Sequence, residues 1–579
     1  MKIGFIKNKN VRTFIPLALI LILASALRLI WLDRFPTAIN GDELYYLLIS
    51  RSQALSGHDF SSTWNIFSSL LFQYPPGVPQ AELPFFLVYP AVAVFGFSLF
   101  TSKIVYAILS IGTVYIVYLV ALQIFDRKTA LISAFITAVN PWQIYIGRTV
   151  YEPVPAVFFY LLGIYFLLKE KGNRIFIALP FFILGFYSYI GTKTILIPLI
   201  IIVSIFSFLN NKKAYAKQYL TLILICILFT LFFVSSFNGG DSDVRIGRML
   251  TPFSIDSELQ KSELQNLSVL ISFLKPVLNE NFLVYLNIIF AKIYNILSFD
   301  YLFSSSGEFV GIHNHGLFYF IDSIFLIAGL LFIFVKKRKT FLFLSGLILI
   351  GMIPQLLYEA AAGVYALHLA FFLPLLVFPI AYGISEISVR GKRTYILMGI
   401  IGAAYIISIF NFTQIYFFKF PLQGHFDFPS RVLANYIRLV NSKGDKVNIY
   451  TTKTNDGFNK YVYYSNSLNS ENYNEIAKAI NSRKYSIGKI SFLSCGDIPK
   501  NLEKNSIAIY QKNLCVDYTS EIKPVFISRL DDGGQIFSIY NDPLCGKYRL
   551  KTFPSGLQPK DFAVESLTDR EFCETFITR

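Results

Sequence analysis

The chain has 579 residues, of which 54% are hydrophobic and only 15% are charged. Soluble globular domains carry about a quarter charged residues, so this composition excludes an ordinary soluble protein. Apolar runs of about twenty residues recur along most of the chain, and each is long enough to cross a bilayer as a helix. We therefore predict a polytopic α-helical membrane protein.

The net charge of +16 arises mainly from short basic clusters between the apolar runs. The clusters are Lys2, Lys7, Lys9 and Arg12; Arg127 and Lys128; Lys169, Lys171 and Arg174; Lys212, Lys213 and Lys217; Lys336, Lys337, Arg338 and Lys339; and Arg390, Lys392 and Arg393. This placement argues against nucleic-acid binding, because basic loops of membrane proteins lie on the cytoplasmic side. The pattern predicts a plasma-membrane protein with its N-terminus inside and its C-terminus outside.

About eleven crossings fit this orientation. They lie near residues 13–32, 102–125, 129–147, 153–168, 175–190, 193–211, 219–237, 316–335, 340–357, 365–387 and 394–417. The apolar run 83–100 is predicted to be a juxtamembrane helix or a shallow hairpin, because counting it would put every later basic cluster outside. The first run continues past Ala24-Ser25-Ala26 to Trp31, which favours an uncleaved helix over a signal peptide.

The composition changes near residue 421, which predicts a transmembrane domain over 1–420 and an extracytoplasmic, soluble α/β domain over 421–579. In this tail we predict strands near 447–450, 490–493, 506–510 and 524–528, a helix over 471–483, and a turn at 531–534.

Four of the five cysteines (Cys495, Cys515, Cys545 and Cys573) lie in the tail, and Cys226 lies within a predicted span as a packing residue. Four cysteines in an extracytoplasmic domain predict two disulfides, with three possible connectivities. A reduced, cytoplasmic tail is the alternative, and the predicted topology argues against it.

Two adjacent carboxylates, Asp42 and Glu43, follow the first span and so lie near the outer membrane surface. Carboxylates are costly in hydrocarbon, so this pair is either a solvated helix N-terminus or a functional site. The topology places further polar groups on the same side: Glu82, Arg148, Glu152, Lys193, Arg245, Arg248, His313, His315 and His368. Carboxylates that accept a proton and cations that stabilise a departing phosphate suit group transfer from a lipid phosphate.

Several short motifs resemble the glycosyltransferase C superfamily, in its protein O-mannosyltransferase and aminoarabinose transferase branch (glycosyltransferase family 39). They are Asp42-Glu43 after the first span, Tyr74-Pro75-Pro76, Phe95-Gly96-Phe97-Ser98, Gly147 to Pro153, Tyr301-Leu302-Phe303 with Gly316 to Tyr319, and Ala366-Leu367-His368 with Leu373-Pro374. The resemblance covers about residues 13–417 and does not extend to the tail. The order and sidedness of the motifs are more specific than any single one.

The resemblance implies the GT-C fold and a membrane glycosyltransferase that uses a polyprenyl-phosphate sugar donor, usually with inversion at the anomeric carbon. Asp42 matches the first-loop aspartate of the family, which is expected to contact the acceptor and act as the base, and Glu43 matches its neighbour. The predicted catalytic residues are therefore Asp42 and Glu43. The predicted substrate-binding or lipid-phosphate-binding residues are Arg148, Glu152, Lys193, Arg245, Arg248, His368 and Tyr45. The sugar, the lipid length and the acceptor, which is a protein, a lipid or a glycan, are not set by the sequence.

Most of these assignments have a structural alternative. Arg148 and Glu152 are four residues apart and would also suit a helical ion pair. Lys193 would also suit snorkelling at the end of a span, and Tyr45 would suit anchoring at the membrane interface.

The resemblance also implies a divalent cation as a candidate cofactor, because some aminoarabinose transferases bind one near a loop carboxylate. Glu82, His313 and His315 are the candidate ligands, although a solvated loop is the commoner setting for such histidines. Glu82 would also suit capping of the stretch that follows it. His368 is predicted either to line the cavity or to find a polar partner within the bundle.

Two other functions remain open. Charged groups within the membrane also suit a transporter or flippase of a lipid-linked sugar, but no inverted repeat is evident in the sequence. A polysaccharide polymerase or ligase would use related chemistry on a lipid diphosphate. The long first outer segment with its acidic pair favours the glycosyltransferase.

Overall fold

The computed structural model describes residues 11–71, 73, 81–210, 213–236, 281–305, 315–358, 364–387, 392–422, 427–442, 444–498, 506–512, 514–515 and 523–579. The N-terminal part is helical, and a seven-stranded sheet lies near the C-terminus. The predicted pairing of a helical membrane region with a C-terminal α/β region is confirmed at this level.

Helices form over the apolar runs because a helix satisfies its backbone N–H and C=O groups internally, which a bilayer requires. The helices of this region are α1 Val11–Leu29, α2 Gly41–Ser56, α3 Leu83–Phe95, α4 Leu99–Ile124, α5 Arg127–Val139, α6 Pro141–Ile146, α7 Pro153–Lys169, α8 Ala178–Ser188, α9 Leu196–Leu209, α10 Ala216–Ser236, α11 Asn281–Leu297, α12 Phe320–Lys336, α13 Arg338–Leu357, α14 Phe372–Ile387 and α15 Lys392–Gln414. A helix lies at each predicted crossing. The run 129–147 is divided between α5 and α6 at Pro141, whose ring nitrogen has no hydrogen to continue the helix.

Among the described residues, six helical segments are long and apolar enough to cross a membrane. They are Leu99–Ile124, Gly191–Leu209, Ala216–Ser236, Leu286–Ser304, Arg338–Leu357 and Tyr395–Leu422. Shorter apolar helices, including Ile15–Leu29 and Pro153–Lys169, accompany them. The protein is therefore a multi-pass membrane protein, and the number of eleven crossings stays a prediction. The amphipathic sequence of residues 267–297 predicts a stretch that lies on the membrane surface. The apolar segment Leu286–Ser304 overlaps its second half, and residues 267–280 lie outside the described part.

Close helix packing in this region depends on small residues. A Cβ atom on Gly329 of α12 would overlap the carbonyl oxygen of Pro379 in α14, and one on Gly383 would overlap that of Phe325. Glycine at these two positions allows the backbones to touch, which is how helices associate where lipid supplies no hydrophobic drive. Large aliphatic side chains such as Leu220 and Val335 are exposed, as expected of a surface in contact with lipid.

The tail combines four helices with the sheet. Its elements are α16 Phe428–Asn441, β1 Lys446–Thr451, α17 Thr454–Tyr464, α18 Tyr473–Asn481, β2 Ser486–Ile487, β3 Ile490–Ser494, β4 Ser506–Gln511, β5 Val525–Ser528, β6 Gln535–Tyr540, α19 Asp569–Phe576 and β7 Ile577–Thr578. The four predicted strands correspond to β1, β3, β4 and β5, and the predicted helix to α18. The predicted turn at 531–534 joins β5 to β6, which pair antiparallel.

The sheet has the order β2-β3-β1-β4-β6-β5-β7. Strand β1 runs parallel to both β3 and β4, while β6, β5 and β7 pair antiparallel. Because parallel strands need crossover connections, the helices α17 and α18 lie between β1 and β3 in the chain. The buried strand residues Val447 and Ile509 belong to the hydrophobic core of the sheet.

Both predicted disulfides are present, which confirms that prediction. Cys495 pairs with Cys515 and Cys545 with Cys573, so each bridge joins cysteines 20 or 28 residues apart in sequence. The first links the chain after β3 to the chain after β4, and the second holds α19 to the segment that follows β6. Cys226 is free and buried in α10, in agreement with the predicted packing role.

Candidate active site

The acidic pair lies in the first turn of α2, and the turn is held by a capping box. The side chain of Asn40 accepts a hydrogen bond from the Glu43 amide at 2.9 Å, and the Glu43 carboxylate accepts one from the Asn40 amide at 2.9 Å. Such reciprocal bonds satisfy two helix-terminal N–H groups and fix where the helix begins. Asp42 is exposed and Glu43 is buried, so the two neighbours have different surroundings.

Glu43 also joins α2 to the segment between α6 and α7. Its second carboxylate oxygen accepts a hydrogen bond of 2.5 Å from the amide of Val150. Burial raises the pKa of Glu43 above its ordinary value, although these backbone bonds and the Lys103 ammonium act in the opposite direction. The Glu43 carboxylate is therefore engaged by two backbone amides, whereas the Asp42 side chain is exposed.

Tyr46, one helical turn after Asp42, connects the other predicted carboxylates to α2. Its hydroxyl accepts a hydrogen bond from the Ala81 amide at 3.0 Å and donates one to the Glu152 carboxylate. Tyr45 packs edge-on against Tyr46 and Phe85 and is half-buried. Tyr46 itself is buried, and its hydroxyl both donates and accepts a hydrogen bond. It therefore links α2 to the segments that contain Ala81 and Glu152.

Glu82 and Lys193 form a buried ion pair. The Lys193 ammonium lies 2.8 and 2.7 Å from the two Glu82 oxygens, and the side chains are 6% and 0% exposed for Lys193 and Glu82. Rings of Phe186 and Phe233 face the ammonium at 4.5 and 5.0 Å, a distance suited to cation–π attraction. Lys193 therefore has a fixed carboxylate partner inside the bundle, which differs from the snorkelling alternative.

Arg148 is buried against the end of α1. Its two terminal nitrogens donate to the carbonyl oxygens of Leu27, Ile30 and Phe35 at 2.9–3.1 Å. The guanidinium also stacks 5.0 Å from the Phe417 ring. Arg148 and Glu152 thus have separate partners, and Arg148 stabilises the carbonyl end of the first helix.

His368 lies in a separate aromatic cluster. Its ring meets Tyr358 at 4.3 Å and Tyr365 at 5.0 Å, and Tyr189 lies 6.2 Å away. The imidazole is 6% exposed, and its Nδ1 has no hydrogen-bond partner within the described part of the chain. A buried ring nitrogen of this kind suits a polar ligand.

The candidate metal ligands Glu82 and His315 have different neighbours in the described part of the chain. His315 packs against Tyr319 and Phe412 and lies 2.7 Å from the Gly316 carbonyl oxygen, while Glu82 faces Lys193. Within the described ranges no group of three or more metal-ligating side chains occurs. His313 and the predicted phosphate ligands Arg245 and Arg248 lie outside the described residues, so these assignments stay predictions.

One network thus connects four of the predicted residues. Glu43 holds the segment before Glu152, Tyr46 bonds to Glu152 and to the residue before Glu82, and Glu82 pairs with Lys193. Glu152 also attracts the Lys193 ammonium. Asp42 lies at the exposed edge of this network, and Arg148 and His368 lie outside it.

The sequence did not identify several polar residues near these groups. Lys103 donates to the carbonyl oxygen of Pro36 at 2.7 Å, and Lys292 donates to that of Tyr358 at 2.7 Å. Both are charged residues within otherwise apolar helices, which is a signal that a sequence search can use. The role of Tyr46 depends on residues distant in sequence and carries no local signal.

Comparisons with known proteins bear on the helical region. Residues 81–234 match the model of the family described as dolichyl-phosphate-mannose-protein mannosyltransferase. No curated protein sequence is significantly similar to the chain.

Solved structures with a similar arrangement have low sequence identity. An oligosaccharyltransferase of Archaeoglobus fulgidus, tethered to an acceptor peptide, is 14% identical with a TM-score of 0.45, covering 79% of this chain and 63% of its own. ArnT of Cupriavidus metallidurans is 10% identical in the apo state, with a TM-score of 0.48 and coverage of 92% and 98%. Its complex with undecaprenyl phosphate is 9% identical, with the same TM-score and coverage. The chain spans a little under two thirds of the archaeal protein. The match over residues 81–234 confirms the resemblance to the protein O-mannosyltransferase branch of the glycosyltransferase C superfamily.

Proposed function

We propose that this protein is a membrane glycosyltransferase that moves a sugar from a polyprenyl-phosphate donor to an acceptor hydroxyl at the outer face of the plasma membrane. The observation that carries the proposal is the match of residues 81–234 to a family of lipid-phosphate-sugar transferases. That stretch contains Glu82, Arg148, Glu152 and Lys193, and the network described above joins it to the acidic turn of α2. The stretch that matches the family therefore contains most of the charged residues proposed for the site.

In the proposed reaction Asp42 is the general base. Its carboxylate accepts the proton of the acceptor hydroxyl while the hydroxyl oxygen forms a bond to the anomeric carbon of the sugar. The bond between that carbon and the phosphate oxygen breaks, and the polyprenyl phosphate leaves with the electron pair. A single displacement of this kind inverts the anomeric carbon and requires no covalent enzyme intermediate. The exposure of Asp42 supports the assignment, because the base must meet an incoming acceptor.

Lys193 is the proposed contact for the departing phosphate. Its ammonium is a fixed cation in a setting of low dielectric, where attraction to an anion is stronger than in water. Glu82 balances this charge in the resting protein and limits the affinity for phosphate. Arg148 has its terminal nitrogens engaged by carbonyl oxygens, so its proposed role in phosphate binding is secondary to that of Lys193.

The test is transfer from labelled polyprenyl-phosphate sugars by purified protein in lipid vesicles, with Asp42→Asn compared with the wild type. We expect the substitution to lower kcat by at least about 100-fold, which is the usual contribution of a general base. Asp33→Asn is the matched control, because Asp33 is also an exposed aspartate of the first outer segment. Normal turnover by a correctly inserted Asp42→Asn variant would contradict the assignment of the base.

The same vesicles separate the transferase from a transporter. A transferase attaches label to an acceptor, whereas a flippase moves the labelled lipid between leaflets and leaves the sugar on it. Movement without transfer would replace the proposal by the transporter alternative.

A further inference from the structure

The tail contacts the backbone immediately before the acidic turn. Arg431 of α16 donates from Nη1 to the carbonyl oxygen of Thr37 at 2.7 Å. The hydroxyl of Tyr464, at the end of α17, accepts a hydrogen bond of 2.9 Å from the amide of Ile39. These two backbone groups precede Asn40, the residue that caps α2 and so sets the direction of Asp42.

The tail also contacts the far end of α2. Arg51 donates to the carbonyl oxygen of Leu468 at 3.1 Å, and the hydroxyl of Tyr473 donates to the hydroxyl oxygen of Ser56 at 2.8 Å. Beyond the helix, Asn481 donates to the carbonyl oxygen of Phe60 at 2.6 Å. The tail therefore holds α2 at both ends.

Arg431 itself is held rigidly. It is 1% exposed, and its Nε and Nη2 donate to the two oxygens of Glu565 at 2.7 and 2.5 Å. A bidentate pair of this kind fixes the plane of the guanidinium as well as its position. Although partial burial acts to raise it, the Arg431 guanidinium holds the pKa of Glu565 below its ordinary value. Glu565 is therefore ionised at neutral pH and keeps Nη1 directed at Thr37.

We infer that Arg431 and Glu565 are positioning residues for Asp42: through Thr37, and together with Tyr464 at Ile39, the tail sets the orientation of the first turn of α2. This inference rests on the proposed function, since it gives the tail a part in the same reaction. It assigns the tail a role although the tail supplies no group to the reacting atoms. The consequence is specific, because a displacement of about 1 Å at a catalytic group lowers the rate of the chemical step by about 100-fold.

The inference predicts that loosening this contact affects kcat more than KM. Glu565→Gln keeps the size of the side chain but removes its charge, and Arg431→Lys keeps the positive charge but removes the bidentate geometry. Each is expected to lower kcat about tenfold with little change in KM, because Asp42 loses orientation while the donor-binding groups are untouched. Tyr464→Phe, which removes the acceptor for the Ile39 amide, is expected to act in the same direction.

The experiment measures transfer kinetics and hydrogen exchange on the full-length protein in lipid vesicles. Amides of residues 37–43 are expected to exchange at least about tenfold faster in Glu565→Gln and Arg431→Lys, because exchange reports local opening. The amides of β1 are expected to keep wild-type exchange, which shows that the tail remains folded. Arg570→Lys is the matched control, since Arg570 forms an exposed pair with Glu574 in the same tail.

The outcomes separate the inference from the proposed function. Unchanged exchange at 37–43, or unchanged kcat, in both Glu565→Gln and Arg431→Lys would overturn the inference. Faster exchange at β1 as well would overturn it too, because the effect would then be general unfolding of the tail. If the wild type transfers no sugar and the variants still show faster exchange at 37–43 alone, the proposed function fails and the hold of the tail on this segment is supported.

Discussion

The helical region and the tail place their charged and apolar side chains in opposite ways. In the helical region the ion pair of Glu82 and Lys193 is inside, while Leu220 and Val335 are exposed. In the tail, Ile509 is fully buried and the pair of Arg570 and Glu574 lies on the surface. The difference follows from the solvent of each region. Burial of aliphatic groups away from water lowers the free energy, whereas burial away from lipid does not, because lipid is itself apolar.

This comparison indicates which interactions stabilise each region. Packing of the tail gains from the removal of apolar area from water, at about 25 cal/mol per Å². The helical region instead depends on close backbone contacts, as at Gly329, and on polar groups that satisfy one another inside. Its charged interior also contains Lys193, the proposed contact for the departing phosphate, so stability and function share a residue there.

The largest expected effect comes from breaking the interior pair of the helical region. Lys193→Met removes the cation that faces Glu82, which is expected to cost about 3–5 kcal/mol, because an uncompensated charge then remains buried. The double variant Glu82→Gln, Lys193→Met is expected to recover most of this loss. Thermal unfolding of the purified protein in detergent measures both, and a single variant as stable as the wild type would contradict this account of the interior.

The second prediction concerns the disulfide between Cys545 and Cys573, which stabilises the tail. Replacing both Cys545 and Cys573 by serine opens a bridge between residues 28 apart in sequence. The loss is expected to be about 3 kcal/mol, because the unfolded tail gains conformational freedom. Limited proteolysis should show faster cleavage in the tail and unchanged cleavage in the helical region. Equal acceleration in both regions would show that the two parts unfold together.

The third prediction uses pH at the contact between the regions. The folded pKa of Glu565 lies below the ordinary glutamate value of 4.5. The stabilisation is therefore fully present above that value and is lost as the pH falls through the folded pKa. Hydrogen exchange at residues 37–43, corrected for the intrinsic rate, should accelerate in the wild type as the pH falls below 4.5 and through the folded pKa of Glu565. The same acceleration in Glu565→Gln would assign the effect to another group.

The smallest effect on stability is expected for an exposed isoleucine of the helical region, which we compare with a buried isoleucine of the tail. Ile406→Ala, on the exposed surface of α15, should change stability by less than about 0.5 kcal/mol, because surface substitutions remove few contacts. Ile509→Ala, in the middle of β4, is the matched control and should cost about 2–5 kcal/mol through the cavity it leaves. Thermal unfolding measures both, and similar losses in the two variants would contradict the exposed placement of Ile406.

Much of the fold was predictable because its signals are local. Apolar runs about twenty residues long predict membrane helices, and four of the strands of the tail were visible as short β-branched runs. Strands β2 and β7 have only two residues each, so they carry no pattern of their own. Helix α16 was also missed, although its apolar residues recur at helical spacing, because it follows directly on the change in composition.

The candidate site was predictable only as a set of residue types on one side of the membrane. Asp42 and Glu43 look equivalent in the sequence, yet one is exposed and the other is buried and bonded to Val150. The pairing of Glu82 with Lys193 joins residues 111 positions apart, and no local pattern encodes it. The clustering of Tyr358 and Tyr365 around His368 is of the same kind.

The sequence by itself determined that the chain is a membrane protein, where its long apolar helices lie, that its tail is oxidised and to which superfamily it is similar. These properties depend on composition and on spacing over fewer than about thirty residues. The tertiary structure alone decided which carboxylate of the acidic pair is exposed, which cation faces Glu82, and that Arg431 reaches the backbone before α2. The physical reason is that each of these contacts satisfies a buried charge or backbone group with a partner from a distant part of the chain.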